Sequence, residues 1–267
     1  MTGAASLTLV LWAALLTTPV KADIMEVDLE LVLLVDVSHS MTEHELEIQR
    51  QGYAAALRSE EVFTAIQSGL LQRIALTYIE WAGTQEIIVD WTLLETRADL
   101  EAVADILTTR YDLSVRRTSI SEALIFGGLM MDNNAFKGLR RVIDVSGDGP
   151  NNKGRSVLTA RDTVLSKSIT INGLPLMTNE EFVSFWDIED LDVYYRNCVI
   201  GGPGSFMIPV TDWQDFEEAV RRKLVLEIAG LPPQEQVIPA QYTPGPSYDC
   251  LVGEKLWDRY QHYWSEP

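Results

Sequence analysis

The sequence Asp36-x-Ser38-x-Ser40 follows directly on the apolar run Leu31-Val32-Leu33-Leu34-Val35. In extended backbone, residues i, i+2 and i+4 point to the same side. One carboxylate and two hydroxyls would then share one side of the chain where it leaves a strand. Three hard oxygen donors in so short a space suit a divalent cation such as Mg2+ or Ca2+. The same residue types are favoured helix N-caps, and a helical pattern follows from Glu43, so capping is the competing reading of this stretch. Two further oxygen donors stand far along the chain. Thr118 immediately precedes a helical pattern, and Asp148 sits in Gly147-Asp148-Gly149 directly after an apolar run.

The elements that would position these residues follow from apolar periodicity. The run ending at Val35 is short and apolar throughout, as expected of a strand buried on both faces in a parallel sheet. Helices are expected over Glu43–Ser59, Glu61–Ser68 (with Gly69 as C-cap), Asp99–Thr109, Ser119–Met131, Arg155–Lys167, Asp190–Asn197 and Trp213–Ile228. In the Asp99–Thr109 helix the apolar stripe is Leu100, Val103, Ala104, Ile106 and Leu107. Further strands are expected over Arg73–Ala82, Glu86–Leu94, Leu139–Ser146, Ile169–Met177 and Phe206–Val210. The Gly83-Thr84 turn makes the first two an antiparallel hairpin. Strands alternating with helices predict a three-layer, Rossmann-like α/β sandwich, its sheet mostly parallel with one antiparallel edge strand. Open α/β sheets bind ligands beyond the carboxyl ends of their strands. Asp36, Ser38, Ser40 and Asp148 all fall at such ends, and Thr118 in a loop before a helix could converge on the same point.

Taken together, Asp36-x-Ser38-x-Ser40, the later Thr118 before an Ala-Leu helix, and Asp148 in a Gly-Asp-Gly loop resemble the metal-ion-dependent adhesion site of von Willebrand factor type A domains. The resemblance covers Asp28 to Glu227. More narrowly, the chain is similar to secreted bacterial proteins of that type. The resemblance implies Ser38, Ser40 and Thr118 as direct ligands, with Asp36 and Asp148 acting largely through water. Neutral hydroxyls leave much of the cation's charge uncompensated, and an open position remains for a carboxylate from a partner protein. Near six-coordination favours Mg2+, with Ca2+ or Mn2+ as alternatives. Two positions depart from the family pattern. His39 stands where Gly is common, and Arg116-Arg117 stand where small residues are common. His39 reads as a solvent-facing loop residue.

Catalytic readings fit less well. Asp36-Val37-Ser38 resembles the start of a phosphotransferase motif, but that chemistry needs a carboxylate acid or base where Ser38 sits. Val145-Ser146-Gly147 lacks the Gly-x-Ser-x-Gly frame of a nucleophile elbow. Gly147-x-Gly149 has its third glycine misplaced for a dinucleotide loop, and Asp148 would repel a pyrophosphate. His39, His44 and His262 lack metalloprotease spacing. The expected function is therefore binding without catalysis. A metal-dependent hydrolase and a purely structural cation site remain the alternatives.

The first 22 residues combine an apolar core, Leu7–Leu16, with Val20-Lys21-Ala22, a small-residue cleavage pattern. They are expected to be a signal peptide, which makes the protein exported, periplasmic or secreted. Their removal takes away only Lys21, leaving 20 basic and 39 acidic side chains and a net charge of −19. That charge opposes nucleic acid and anionic lipid as partners and suits cations. In an exported chain the two cysteines, Cys198 and Cys250, are expected to pair, closing a loop of about 50 residues worth roughly 4 kcal/mol by loop-closure entropy. The main domain is expected over residues 23–230. Residues 231–267 would form a Pro-rich strap and an aromatic C-terminal helix over Lys255–Trp264, packed on the domain. No membrane span is expected there.

Overall fold

The computed structural model describes residues 24–109, 118–178, 188–231 and 248–265. The signal-peptide reading, Arg116-Arg117 and most of the expected strap lie outside them. Strand β1 (Met25–Asp36) is buried continuously from Val27 onward, as its unbroken apolar sequence requires. It pairs in parallel with β2 (Ile74–Trp81) on one side and β4 (Phe136–Gly147) on the other. The hairpin partner β3 (Gln85–Leu94) runs antiparallel to β2, and β5 (Thr170–Pro175) runs parallel to β4. The order is β3-β2-β1-β4-β5, so the sandwich has the expected mostly parallel sheet with one antiparallel edge strand. From β1 the chain first builds toward β2 and then returns to build β4 on the other side. That reversal opens a crevice at the carboxyl ends of β1 and β4.

Alternation along β1 divides the core between the two outer layers. Leu29, Leu31, Leu33 and Val35 pack with helices α1 (Glu43–Arg58), α2 (Glu60–Gln67), α3 (Arg97–Thr109) and α7 (Phe216–Ala229). Val32 and Leu34 face α4 (Ile120–Asp132), α5 (Val157–Leu165) and the short α6 (Leu191–Tyr194). Buried charges on the first face are paired. Arg50 on α1 forks onto Glu80 on β2 at 2.7 and 2.8 Å. Lys223 on α7 reaches Asp144 on β4 at 2.8 Å and Glu227 one turn on at 2.5 Å.

Several local expectations are corrected. Phe206–Val210 is not a regular strand: it lies beside β5 through isolated bridges, Gly173 to Met207 and Leu176 to Val210. Gly69 is not the cap of α2, which ends on Ser68. Its hydrogen is required because a Cβ there would lie 2.3 Å from the Asp28 carboxylate. Ile106 is exposed on α3, while the other four residues of its expected stripe are buried. The expected Asp190–Asn197 helix is α6 followed by a wide turn, Tyr195–Val199, in which Ile200 N–H donates to Tyr195 O at 3.0 Å. Helix α8 (Val252–Ser265) follows Cys250, which is bonded to Cys198 in that wide turn. Among the described residues no helix is long and apolar enough to cross a membrane.

Candidate functional site

The competing capping role of Asp36 and the serines falls to a different residue. Thr42 caps α1 through a closed box: its Oγ1 accepts from Glu45 N–H at 3.2 Å, and its own N–H donates to Glu45 Oε2 at 2.6 Å. Glu45 is held in place by Trp213 Nε1–H, which donates to Oε1 at 2.9 Å. Asp36, Ser38 and Ser40 are thereby left to the loop between β1 and α1.

Within that loop, Asp36 Oδ1 accepts Ser38 N–H at 2.7 Å, and Asp36 O accepts from Gln49 Nε2 at 3.0 Å. Val37 N–H still donates to Trp81 O at 2.9 Å, so the loop leaves the sheet only after Asp36. Ser38 Oγ and Ser40 Oγ lie 2.9 Å apart, and Ser40 Oγ donates to Asp148 Oδ1 at 2.9 Å. The line runs outward from burial to solvent: Asp36 and Ser38 are buried, Ser40 is exposed, and Asp148 is half-buried. His39 is exposed.

Thr118 joins the same edge of the sheet through its main chain. Its N–H donates to Asn152 Oδ1 at 3.3 Å, and its carbonyl accepts Asn152 N–H at 3.2 Å. Ser119 N–H donates to Ala82 O, just past the end of β2, at 3.2 Å. The structure thus brings Asp36, Ser38, Ser40 and Asp148 into one hydrogen-bonded line. It ties Thr118 to the loop that carries Asp148.

The electrostatics of this line favour a cation. Burial pushes the Asp36 carboxyl well above the usual carboxylate range, and repulsion from Asp148 adds to it. Hydrogen bonding from Ser38 and the nearby Asp148 main chain opposes that rise. Asp36 Oδ2 is buried, with no well-aligned hydrogen-bond donor among the described residues. A buried acceptor left in this state is costly unless something else satisfies it. Among the described residues no group of three or more His, Cys, Asp or Glu could hold a metal. A cation at this edge would therefore lean on hydroxyls and two carboxylates, a hard, weakly charged donor set.

Two contributors were missed in the sequence. Gly147 passes so close to the site that a Cβ would sit 2.9 Å from both Asp36 Oδ2 and Tyr195 Oη. Its place between a strand and Asp148 was a signal for this, because glycine often marks close approach. Tyr195 Oη donates to Gly147 O at 3.4 Å. Nothing in the sequence near Tyr195 pointed to the site.

The sequence profile of a family described as "Protein of unknown function (DUF1194)" matches residues 26–232. No curated protein matches the chain. Among solved structures, the pilus adhesin SpaC from Lactobacillus rhamnosus GG superposes with a TM-score of 0.57 at 11% identity, covering 78% of this chain and 31% of that one. Proximal thread matrix protein 1 from the mussel byssus gives 0.51 at 11% identity, covering 78% and 47%. A von Willebrand factor type A protein from Catenulispora acidiphila gives 0.52 at 10% identity, covering 76% and 43%. The mussel protein has also been solved with a zinc-occupied MIDAS motif, at a TM-score of 0.50 and 11% identity, covering 76% and 47%. The chain spans less than half the length of these structures. At such identities the likeness concerns the fold, which is of the von Willebrand A type.

Proposed function

We propose, from the premise that this chain belongs to the DUF1194 family and carries a von Willebrand A-type fold, that its β1 and β4 edge is a divalent-cation site that binds a partner protein. The residues that hold the cation are Asp36, Ser38, Ser40, Thr118 and Asp148. The observation that carries this reading is the line from Ser38 through Ser40 to Asp148, set over a buried Asp36 whose Oδ2 has no well-aligned hydrogen-bond donor among the described residues. Support comes also from the mussel neighbour, whose own motif holds zinc.

Each residue has a distinct part. Asp36 anchors the loop by taking Ser38 N–H and supplies negative charge from a buried position. Ser38 and Ser40 present neutral oxygens, and Ser40 spaces Asp148 from them. Thr118, whose main chain is held by Asn152, would add a further hydroxyl. A hard cation bound here supplies an electrophilic position for an oxygen anion. Mg2+ suits the small, oxygen-only set, with Ca2+ and Mn2+ as alternatives. The partner is a protein that presents an acidic residue, and the role is adhesive or scaffolding, without catalysis. The net charge of −18 on the full chain makes nucleic acid and anionic lipid poor partners. The disulfide and the leader-like start of the sequence support export to a periplasm or beyond.

The test is a thermal melt with and without Mg2+. Ligand at about 100 times its Kd contributes about 2.7 kcal/mol, a rise of roughly 5–10 °C for a domain of this size. Wild type is expected to shift, and Ser38→Ala to lose the shift while keeping its fold. An equal shift in both would refute the site. A pull-down in Mg2+ and in chelator then separates recognition from a structural cation: retention of the same proteins in both, or of none in either, would refute the binding role.

A further inference from the structure

We infer that the C-terminal helix α8, fastened by the Cys198–Cys250 disulfide, is a positioning clamp for the cation site. Site affinity is thereby set by the oxidation state of that bond. This rests on the cation-site reading and adds to it a means of control.

The loop from Asp148 to Ser156 has no regular structure of its own. Its central residue, Asn151, is fully buried and is held from several sides. Asn151 Oδ1 accepts Ser121 N–H from the first turn of α4 at 3.0 Å, and its Nδ2 donates to Arg155 O at 3.3 Å and to Glu254 Oε1 of α8 at 2.8 Å. Its N–H donates to Tyr194 Oη at 3.1 Å. The next residue, Asn152, exchanges two hydrogen bonds with Thr118. Asn151-Asn152 therefore couple α8 to both Asp148 and Thr118.

The disulfide staples together the two elements that grip this loop. Cys198 lies in the wide turn that follows Tyr194 and holds Tyr195, whose hydroxyl reaches Gly147. Turns of this kind are frequent at functional sites. Cys250 lies two residues before α8 begins. Among residues 252–262 of α8 only Gly253 is buried, and Val252 packs half-buried against the core. Gly253 is also where the helix meets the loop most closely: a Cβ there would lie 2.2 Å from Asn151 O. Any side chain at this position would lift α8 away from Asn151.

Reduction by a small dithiol is balanced. The S–S bond takes two electrons and two protons from the dithiol, which closes to its own disulfide, and leaves thiols at Cys198 and Cys250. With the staple open, Glu254 is no longer held against Asn151, and the loop loses a fixed path past Asp36. Residues that orient metal ligands without touching the metal typically contribute 10–100-fold in affinity.

The experiment is Mg2+ titration by calorimetry on the full chain, oxidised and after treatment with excess dithiol, with near-native far-UV circular dichroism required of both. The affinity is expected to fall at least about tenfold on reduction, and equally in a Cys198→Ser, Cys250→Ser double variant. Gly253→Ala, with the disulfide intact, is expected to weaken binding similarly. Glu254→Ala should weaken it, and Glu254→Gln, which keeps the acceptor oxygen, should restore it. A change confined to melting temperature, with affinity unmoved in all four, would overturn the clamp and leave the cation site standing. Failure of oxidised wild type to bind Mg2+ would overturn the site reading, and the clamp with it.

Discussion

Glu227 offers a quantitative test of the buried charge cluster beneath β4 and β5. Its side chain is fully buried, as are those of Lys223 and Asp144, so one ammonium faces two carboxylates in a dry site. Other groups facing it are Asn172 on β5, whose Nδ2 donates to Oε1 at 2.8 Å, Arg140 on β4, which donates to its main-chain carbonyl, and Tyr53 on α1. Burial first, then repulsion from Asp144, pushes Glu227 up to about 7, against the attraction of Lys223. The folded pKa is thus raised above the unfolded one. The stability this contributes is fully present below the unfolded value and is lost as pH rises through about 7. From the size of the shift, wild type should lose about 2 kcal/mol from this group between about pH 5.5 and about pH 8. Glu227→Gln removes the titration while keeping an oxygen for Lys223 and Asn172. Urea unfolding of the oxidised protein at both pH values is the assay, with the slope m checked for constancy. The difference in stability between wild type and variant should change by about 2 kcal/mol across the window, in favour of the variant at high pH. An unchanged difference would refute the assignment of the proton to this cluster.

Further perturbations test the site and its supports. Gly147→Ala would drive a methyl toward Asp36 Oδ2 and Tyr195 Oη, and is expected to abolish the Mg2+ melting shift in a protein whose circular dichroism stays native. Arg50→Met leaves Glu80 buried without its guanidinium and should cost about 3–5 kcal/mol in urea unfolding. Thr42→Ala removes half of the α1 capping box and should cost about 1 kcal/mol by the same measurement, without altering the Mg2+ response.

The parts of this molecule that were legible from sequence are those governed by short-range patterning. The unbroken apolar run of β1 announces a strand buried on both faces, and its abrupt change to Asp-x-Ser-x-Ser marks where the sheet ends. The mostly parallel sheet follows from helices intervening between its strands, and the hairpin from Gly83-Thr84. Side-chain alternation places Asp36 and the serines together without reference to any distant residue. What resisted is what depends on packing between distant segments. Whether Asp36 or Thr42 caps α1 is not decided by residue type, since both are competent caps. It is decided by Glu45, which can close a box only with the residue three positions before it, and which Trp213 holds from the far end of the chain. Gly69 looked like a helix terminator, but its hydrogen is needed because Asp28 lies against it. Phe206–Val210 has the composition of a strand yet forms only scattered parallel bridges to β5, whose Ile171 pairs instead with Gly201 in the antiparallel sense. Asn151 is the sharpest case. It reads as one more polar loop residue after Asp148, and its importance comes from Ser121, Tyr194 and Glu254, which meet it from three separate elements. The donor atoms of the site are thus written locally, whereas the rigidity that would make them a selective site is distributed over the whole chain.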